Sequence, residues 1–345
     1  MLETLDSIPW NKLEHAYGEA SEVPDLIRAL ASPKEEIYKG AIRRLWHAVA
    51  HQGTVYSSTA YVVPFFCELL EASEVQNKTE LLAFLEAIAH GAPYSNVHML
   101  NKERRETPEA QLKITDAFSW VQNASDAVSD GYATYLRLLQ APDEKLRAWA
   151  AYTLSRCQSH RAKIAPDMQQ SLSTEVVPFV RASLLLSLGQ LLEKSEETAF
   201  FFTGLLQEAE NPLGQIATAM GWVFAMREQT SQDALRILLR GYELSSDVKE
   251  RFNELPFAES DLDTSISIAL LSFVFGDLEI ARNTTVSDLS DLQRNILTTI
   301  YENEDIWEPG KMDFAIGAFF GSEFAEMNWE SMIEDFLAGQ PLFQE

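Results

Sequence analysis

The residues here that could do chemistry are mostly carboxylates, and they crowd toward the end of the chain. Residues 295–345 hold eleven acids, Glu302 through Glu345, against one base, Lys311. Trp307, Phe314, Phe319, Phe320, Phe324, Trp329, Phe336 and Phe343 are interleaved with them. Carboxylates set among aromatics suit a grip on a basic partner: charge speeds encounter, and aromatic side chains supply the buried anchors. The same pattern also arises when aromatics fill the core of the last helices and acids face water. The candidate partner-binding residues are Glu302, Glu304, Asp305, Trp307, Glu308, Asp313 and Trp329.

Other candidates are thinner. His47 and His51 lie four apart, a spacing that sets two imidazoles over one metal ion on a helix. The metalloprotease pattern needs Glu at position 48, where this chain has Ala48, and no third ligand is near in sequence. No metal or cofactor is expected. Lys102, Arg104 and Arg105 make a small basic loop, suited to pairing with acids or to plain solvation. The fifteen glycines are scattered, with no phosphate loop and no nucleophile elbow, so no catalytic residue is assigned. Cys67 and Cys157 sit in apolar helical pattern and read as reduced core residues.

Charge narrows the partner. The net charge is −25. Residues 1–170 carry 17 Lys and Arg against 22 Asp and Glu, whereas 171–345 carry 10 against 30. An acidic half repels nucleic acid, whose binding rests on cations neutralising phosphates. It either keeps a soluble body dispersed or attracts a cationic protein. No apolar run is long enough to span a bilayer, and Met1 to Asp6 lack a basic leader, so a cytoplasmic monomer is expected.

Such surfaces need a scaffold, and the spacing of apolar residues supplies one. Leu146-Arg147, Ala150 and Leu154 are matched 34 positions later by Val180-Arg181, Leu184 and Leu188. Each apolar trio lies on one helix face. Ser32-Pro33-Lys34-Glu35 reads as a capping box before Ile37, Ala41 and Leu45, with Tyr38 where Arg is expected. Ile37 lies 109 residues before Leu146, close to three periods of about 36. Asn211-Pro212 opens a further unit with Leu213, Ala217 and Gly221, counted 33 residues beyond Val180. Between these, helices are expected over Pro24–Leu30, Thr59–Ala72, from Asn77, and from Thr107-Pro108 to about Asn123. Strand alternation is essentially absent. Arg147 and Arg181 read as a structural ladder between repeats.

Paired helices with a period of 33–36, a Pro near the turn, and aliphatic-Arg-x-x-Ala-x-x-x-Leu resemble the HEAT repeat. Pro142 to Leu154 is the best match. Pro24-Asp25-Leu26 and His51-Gln52-Gly53-Thr54-Val55-Tyr56 also look like a group of bacterial HEAT-like proteins. The resemblance implies an all-α, right-handed α-α superhelix (HEAT/armadillo-like solenoid) that binds protein. The expected division is an array over 1–255 and an irregular acidic cap over 256–345. Among HEAT-like enzymes, the hydroxylases carry His-Glu dipeptides as iron ligands, and none of the six histidines here precedes Glu. DNA glycosylases of this class need a basic groove, the wrong sign for this chain; bilin lyases lack a compact motif. The reading is a non-catalytic scaffold for a basic protein, in one version an immunity or antitoxin-like protein masking a cationic toxin. The alternative is an enzyme of the bilin-lyase or DNA-glycosylase type.

Overall fold

Helix follows helix through the computed structural model, which describes residues 1–75, 77–93, 108–257, 261–276, 285–307, 312 and 329–340, without the side chains of 108–110 and 329. The chain is all-α, with two small exceptions among the described residues: Glu14–His15 (β1) pairs antiparallel with Gly18–Glu19 (β2), and Thr54 forms an isolated parallel bridge with Ala92. Strands of two residues offer no alternation for a periodicity to reveal. Two compact units emerge, Met1–Thr174 and Glu175–Glu345.

The first unit contains α1 (Val23–Ala29), α2 (Glu35–Val49), α3 (Thr59–Glu71), α4 (Lys78–Ala89), α5 (Pro108–Asp130), α6 (Tyr132–Leu138), α7 (Glu144–Ser155) and α8 (Arg161–Thr174). Helices α3 and α4 both lie on α5, and α4 also meets α7. Their expected stripes are buried: Val62, Phe65, Phe66, Leu69 and Leu70 from α3, and Leu81, Leu82, Leu85 and Ile88 from α4. Helix α5 outruns its expected end at Asn123, because Ala124 and Val128 continue the buried face with small side chains.

Helix α2 departs from its expected register. It is capped at Lys34 with no side-chain cap, and Ser32 instead accepts the Lys34 N–H at 3.2 Å. Tyr38 is then 3% exposed while Ile37 is 45% exposed, so Tyr38, Ala41, Ile42 and Leu45 form the inner face. The Tyr38 hydroxyl donates to the Asn77 carbonyl at 3.0 Å, which satisfies its polar end without leaving the core. Burial, and then Glu80, push this phenol's pKa well above the usual tyrosine value.

The second unit contains α9 (Pro178–Leu191), α10 (Glu196–Glu208), α11 (Pro212–Met226), α12 (Gln232–Gly241), α13 (Ser246–Asn253), α14 (Leu262–Phe275), α15 (Asp291–Tyr301) and α16 (Trp329–Leu337). Helices α9, α11 and α14 are buried on nearly every face, as helices apolar all round must be. The closest approach is α9 against α11. A methyl group at Gly189 would lie 2.3 Å from the Gly221 carbonyl oxygen, and one at Gly221 would lie 2.5 Å from that of Leu185. Only glycine lets the two backbones come this near.

The repeated chemistry is visible helix by helix. Asp143 caps α7 by accepting the Leu146 N–H at 2.7 Å, and Asn211 caps α11 by accepting that of Gly214 at 2.8 Å. Four residues past each cap, a side chain turns back to the chain entering its own helix. Arg147 donates to Ala141 O at 2.9 Å, Arg181 to Glu175 O at 3.0 Å, and Gln215 to Ala209 O at 3.0 Å. Arg147, Arg181 and Gln215 are evenly spaced 34 apart, so Gln215 takes the place that arginine holds in the two preceding units. Counted cap to cap, the Asn211 unit follows at 34 residues, not 33. Val180 and Leu188 are core; Leu146 is half-buried.

Candidate functional site

The acidic surface is built where α15 ends. Ser290 caps that helix in a capping box with Gln293, and Ile296, Leu297 and Ile300 bury its inner face. A 3-10 turn over Glu304–Trp307 follows, pinned by the fully buried Ile306. That anchor leaves Glu302, Glu304 and Asp305 in water, with Trp307 half-buried and its indole N–H donating to Tyr301 O at 3.1 Å. Four of the seven expected residues therefore share one short stretch. Glu308 and Asp313 lie outside the described residues, as does the side chain of Trp329, the first residue of α16.

Helix α16 brings acids the pattern of residues had not singled out. Ile333 and Phe336 are buried, which turns Glu330, Glu334 and Asp335 outward. Helix α16 rests on α15, and partial loss of water, followed by the Glu334 and Glu330 carboxylates, raises the pKa of the Tyr301 phenol. Carboxylates from two segments thus converge beside Tyr301. The nearby described base is engaged elsewhere: the Arg294 guanidinium pairs with Asp291 and donates to Leu289 O at 2.6 Å. Helical periodicity of Ile333 and Phe336 was the signal that could have added Glu330 and Glu334.

The other expected features separate. His47 and His51 have ring centroids 6.1 Å apart, and the His51 Nδ1 lies 3.3 Å from the Tyr17 hydroxyl. Among the described residues, no group of three or more His, Cys, Asp or Glu is placed to hold a metal. Lys102, Arg104 and Arg105 lie outside the described residues. Cys157 is buried and Cys67 is partly so; both are free, and burial pushes both thiols up. No described helix is long and apolar enough to cross a membrane.

Two cavities in the first unit had no sequence signature. One, about 490 Å³, is lined by Thr4, Ile8, Tyr56, Ser57, Ala60, Tyr61, Pro64, Phe65, Trp120 and Asn123. The other, about 300 Å³, is shallower, with Arg43, Trp46, His47 and Glu80 among its walls and Trp46 stacked on Phe84 at 4.5 Å. Among the described residues the larger is lined by neither carboxylate nor imidazole, and its walls offer π faces, hydroxyls and amides. No protein-family model matches this sequence, and no curated protein matches it either.

Proposed function

We propose that this chain is a non-catalytic, cytoplasmic, monomeric binding module with a HEAT-like helical array, and that its acidic second unit engages a basic protein. The observation that carries this reading is that Glu330 and Glu334 act on Tyr301, next to a stretch that exposes Glu302, Glu304 and Asp305 and ties Trp307 to the Tyr301 carbonyl. Exposed carboxylates supply long-range attraction, and the half-buried aromatics supply contact area once a partner has arrived. The regular 34-residue spacing of Arg147, Arg181 and Gln215 supports a repeat scaffold. Masking of a cationic toxin is one concrete form of this activity.

The test uses a Lys- and Arg-rich helical peptide against the full chain and a variant carrying Glu302→Gln, Glu304→Gln, Asp305→Asn, Glu330→Gln and Glu334→Gln. Binding should weaken by roughly tenfold or more in the variant, and should fall as salt shortens the screening length. Equal affinity in both proteins, or affinity indifferent to salt, overturns the reading.

A further inference from the structure

The larger cavity of the first unit is built from three separate stretches and held open by a fourth. Ser57, Ala60, Tyr61, Pro64 and Phe65 form one stripe of α3 and the turn before it. Trp120 and Asn123, one turn apart on α5, face that stripe, and Thr4 and Ile8 close an end. Behind the wall, Trp10 is 5% exposed and donates its indole N–H to Leu5 O at 2.8 Å. Its ring lies 6.5 Å from Tyr61, edge-on, and 6.4 Å from Phe65. Trp10 therefore fixes two of the cavity's aromatic rings before any ligand arrives.

The cavity also holds an acceptor that its helix cannot use. Pro64 sits inside α3 and has no N–H, so the carbonyl of Ala60, one turn earlier, loses its helical donor. Ala60 and Pro64 both line the cavity, so the interrupted turn of α3 belongs to its wall. A proline in mid-helix weakens the helix, and here it leaves an acceptor beside four aromatic side chains. Among the described residues no Lys, Arg or His lines the space, whereas Asp116 is exposed one helical turn before Trp120. The unit that holds it carries 22 acids against 17 bases.

We propose that this cavity binds an organic cation: an ammonium or guanidinium group on an apolar body. The π faces of Tyr61 and Trp120 attract the charge, the Ala60 carbonyl accepts its N–H, and the remaining volume takes the body. A neutral ligand of the same shape would gain only the apolar part. An anion would meet no positive partner among the described lining residues. The group arrives either on a free amine or as a Lys or Arg side chain of another protein. This site is independent of the acidic surface of the second unit.

The test titrates the full chain with 2-phenylethylammonium and, separately, with 2-phenylethanol, its neutral counterpart of like shape, following heat and tryptophan fluorescence. The ammonium should bind saturably and roughly tenfold more tightly than the alcohol. Tyr61→Ala and Trp120→Ala should each abolish the difference while retaining the helical circular dichroism spectrum. Pro64→Ala restores the missing donor, so it should raise the melting temperature and weaken ammonium binding several-fold, about three to ten times. Stabilisation together with weaker binding is a result that simple damage to the fold cannot produce. Short peptides with one central Lys or Arg, titrated in parallel, separate the two sources: binding by peptides points to a protein-borne side chain, binding by the free amine alone to a small molecule. Equal affinity for amine and alcohol, no saturable amine binding, or binding untouched by Tyr61→Ala and Trp120→Ala overturns the proposal.

Discussion

The two units are held together by different means. The first, with 17 bases and 22 acids, ties helices with ion pairs across long sequence distances: Arg156 to Glu86 at 2.7 Å, and Arg137 to Glu71. It also keeps cavities walled by aromatics. The second, with 10 bases and 30 acids, has too few cations to pair most of its carboxylates, although Lys249 reaches Asp263 at 2.7 Å and Lys194 pairs with Glu228. It relies on helices buried all round and on backbone contact at Gly189 and Gly221. Among the described residues, acidity is thereby kept to the surface apart from Asp263, which is 7% exposed and paired with Lys249; at the surface, mutual repulsion costs least and a cationic partner can reach it. A unit that spends its surface on one sign of charge needs a closely fitted apolar interior.

The sharpest way to break this contrast is Leu184→Asp, at a position 1% exposed in α9. An unpaired carboxylate there should cost more than about 4 kcal/mol. Hydrogen exchange should lose protection in α9 and α11 while α3 and α4 stay protected; loss in all four would make the units one cooperative body. Next is Arg156→Met. Arg156 and Glu86 side chains are each 14% exposed, and Arg156 also donates to the Tyr152 hydroxyl at 2.8 Å. Removing one partner of a buried pair should cost about 3 kcal/mol in chemical denaturation. A loss near zero would show that ion pairs do not hold the first unit.

Gly221→Ala probes the second unit's counterpart and should destabilise by about 1–3 kcal/mol through overpacking. Gly204→Ala, in α10 with nothing within 4 Å of an added methyl, should instead stabilise by about 0.5–1 kcal/mol. The opposite signs, read in one melting experiment, isolate the close approach from helix propensity.

Two carboxyls of the first unit set a pH dependence. Burial raises the Glu86 pKa, but His90 and Arg156 outweigh it and hold the carboxyl below the usual value. Thr134 and Arg137 do the same for Glu71 against a smaller opposing effect of burial. A carboxyl depressed in the folded state adds stability that is complete above its unfolded pKa, about 4.5, and is lost as pH falls through the folded value. The first unit should therefore loosen below about pH 4.5, read by exchange in α4 and α7.

Much of the helical frame was legible because burial imposes its period directly on residue type, as in Val62 to Leu70 and Leu81 to Ile88. Register was less so: Ile37 and Tyr38 both fit an apolar face, and only the position of the cap decides which turns inward. Gln215 escaped notice because its role is a reach to a carbonyl six residues back, which does not require a positive charge. The acids of the surface were legible as composition, but their convergence on Tyr301 depends on α16 lying against α15. The aromatic cavity was invisible because positions 4, 8, 56–65 and 120–123 meet only in the folded chain.

The central claim is that the acidic end of the second unit receives a cation-bearing partner. Hydrogen exchange of the full chain with and without the Lys- and Arg-rich peptide tests it most directly, at low salt and again at high salt. The account predicts protection across 296–307 and 330–337 that disappears at high salt. Protection absent from both segments, or persisting unchanged at high salt, would contradict it.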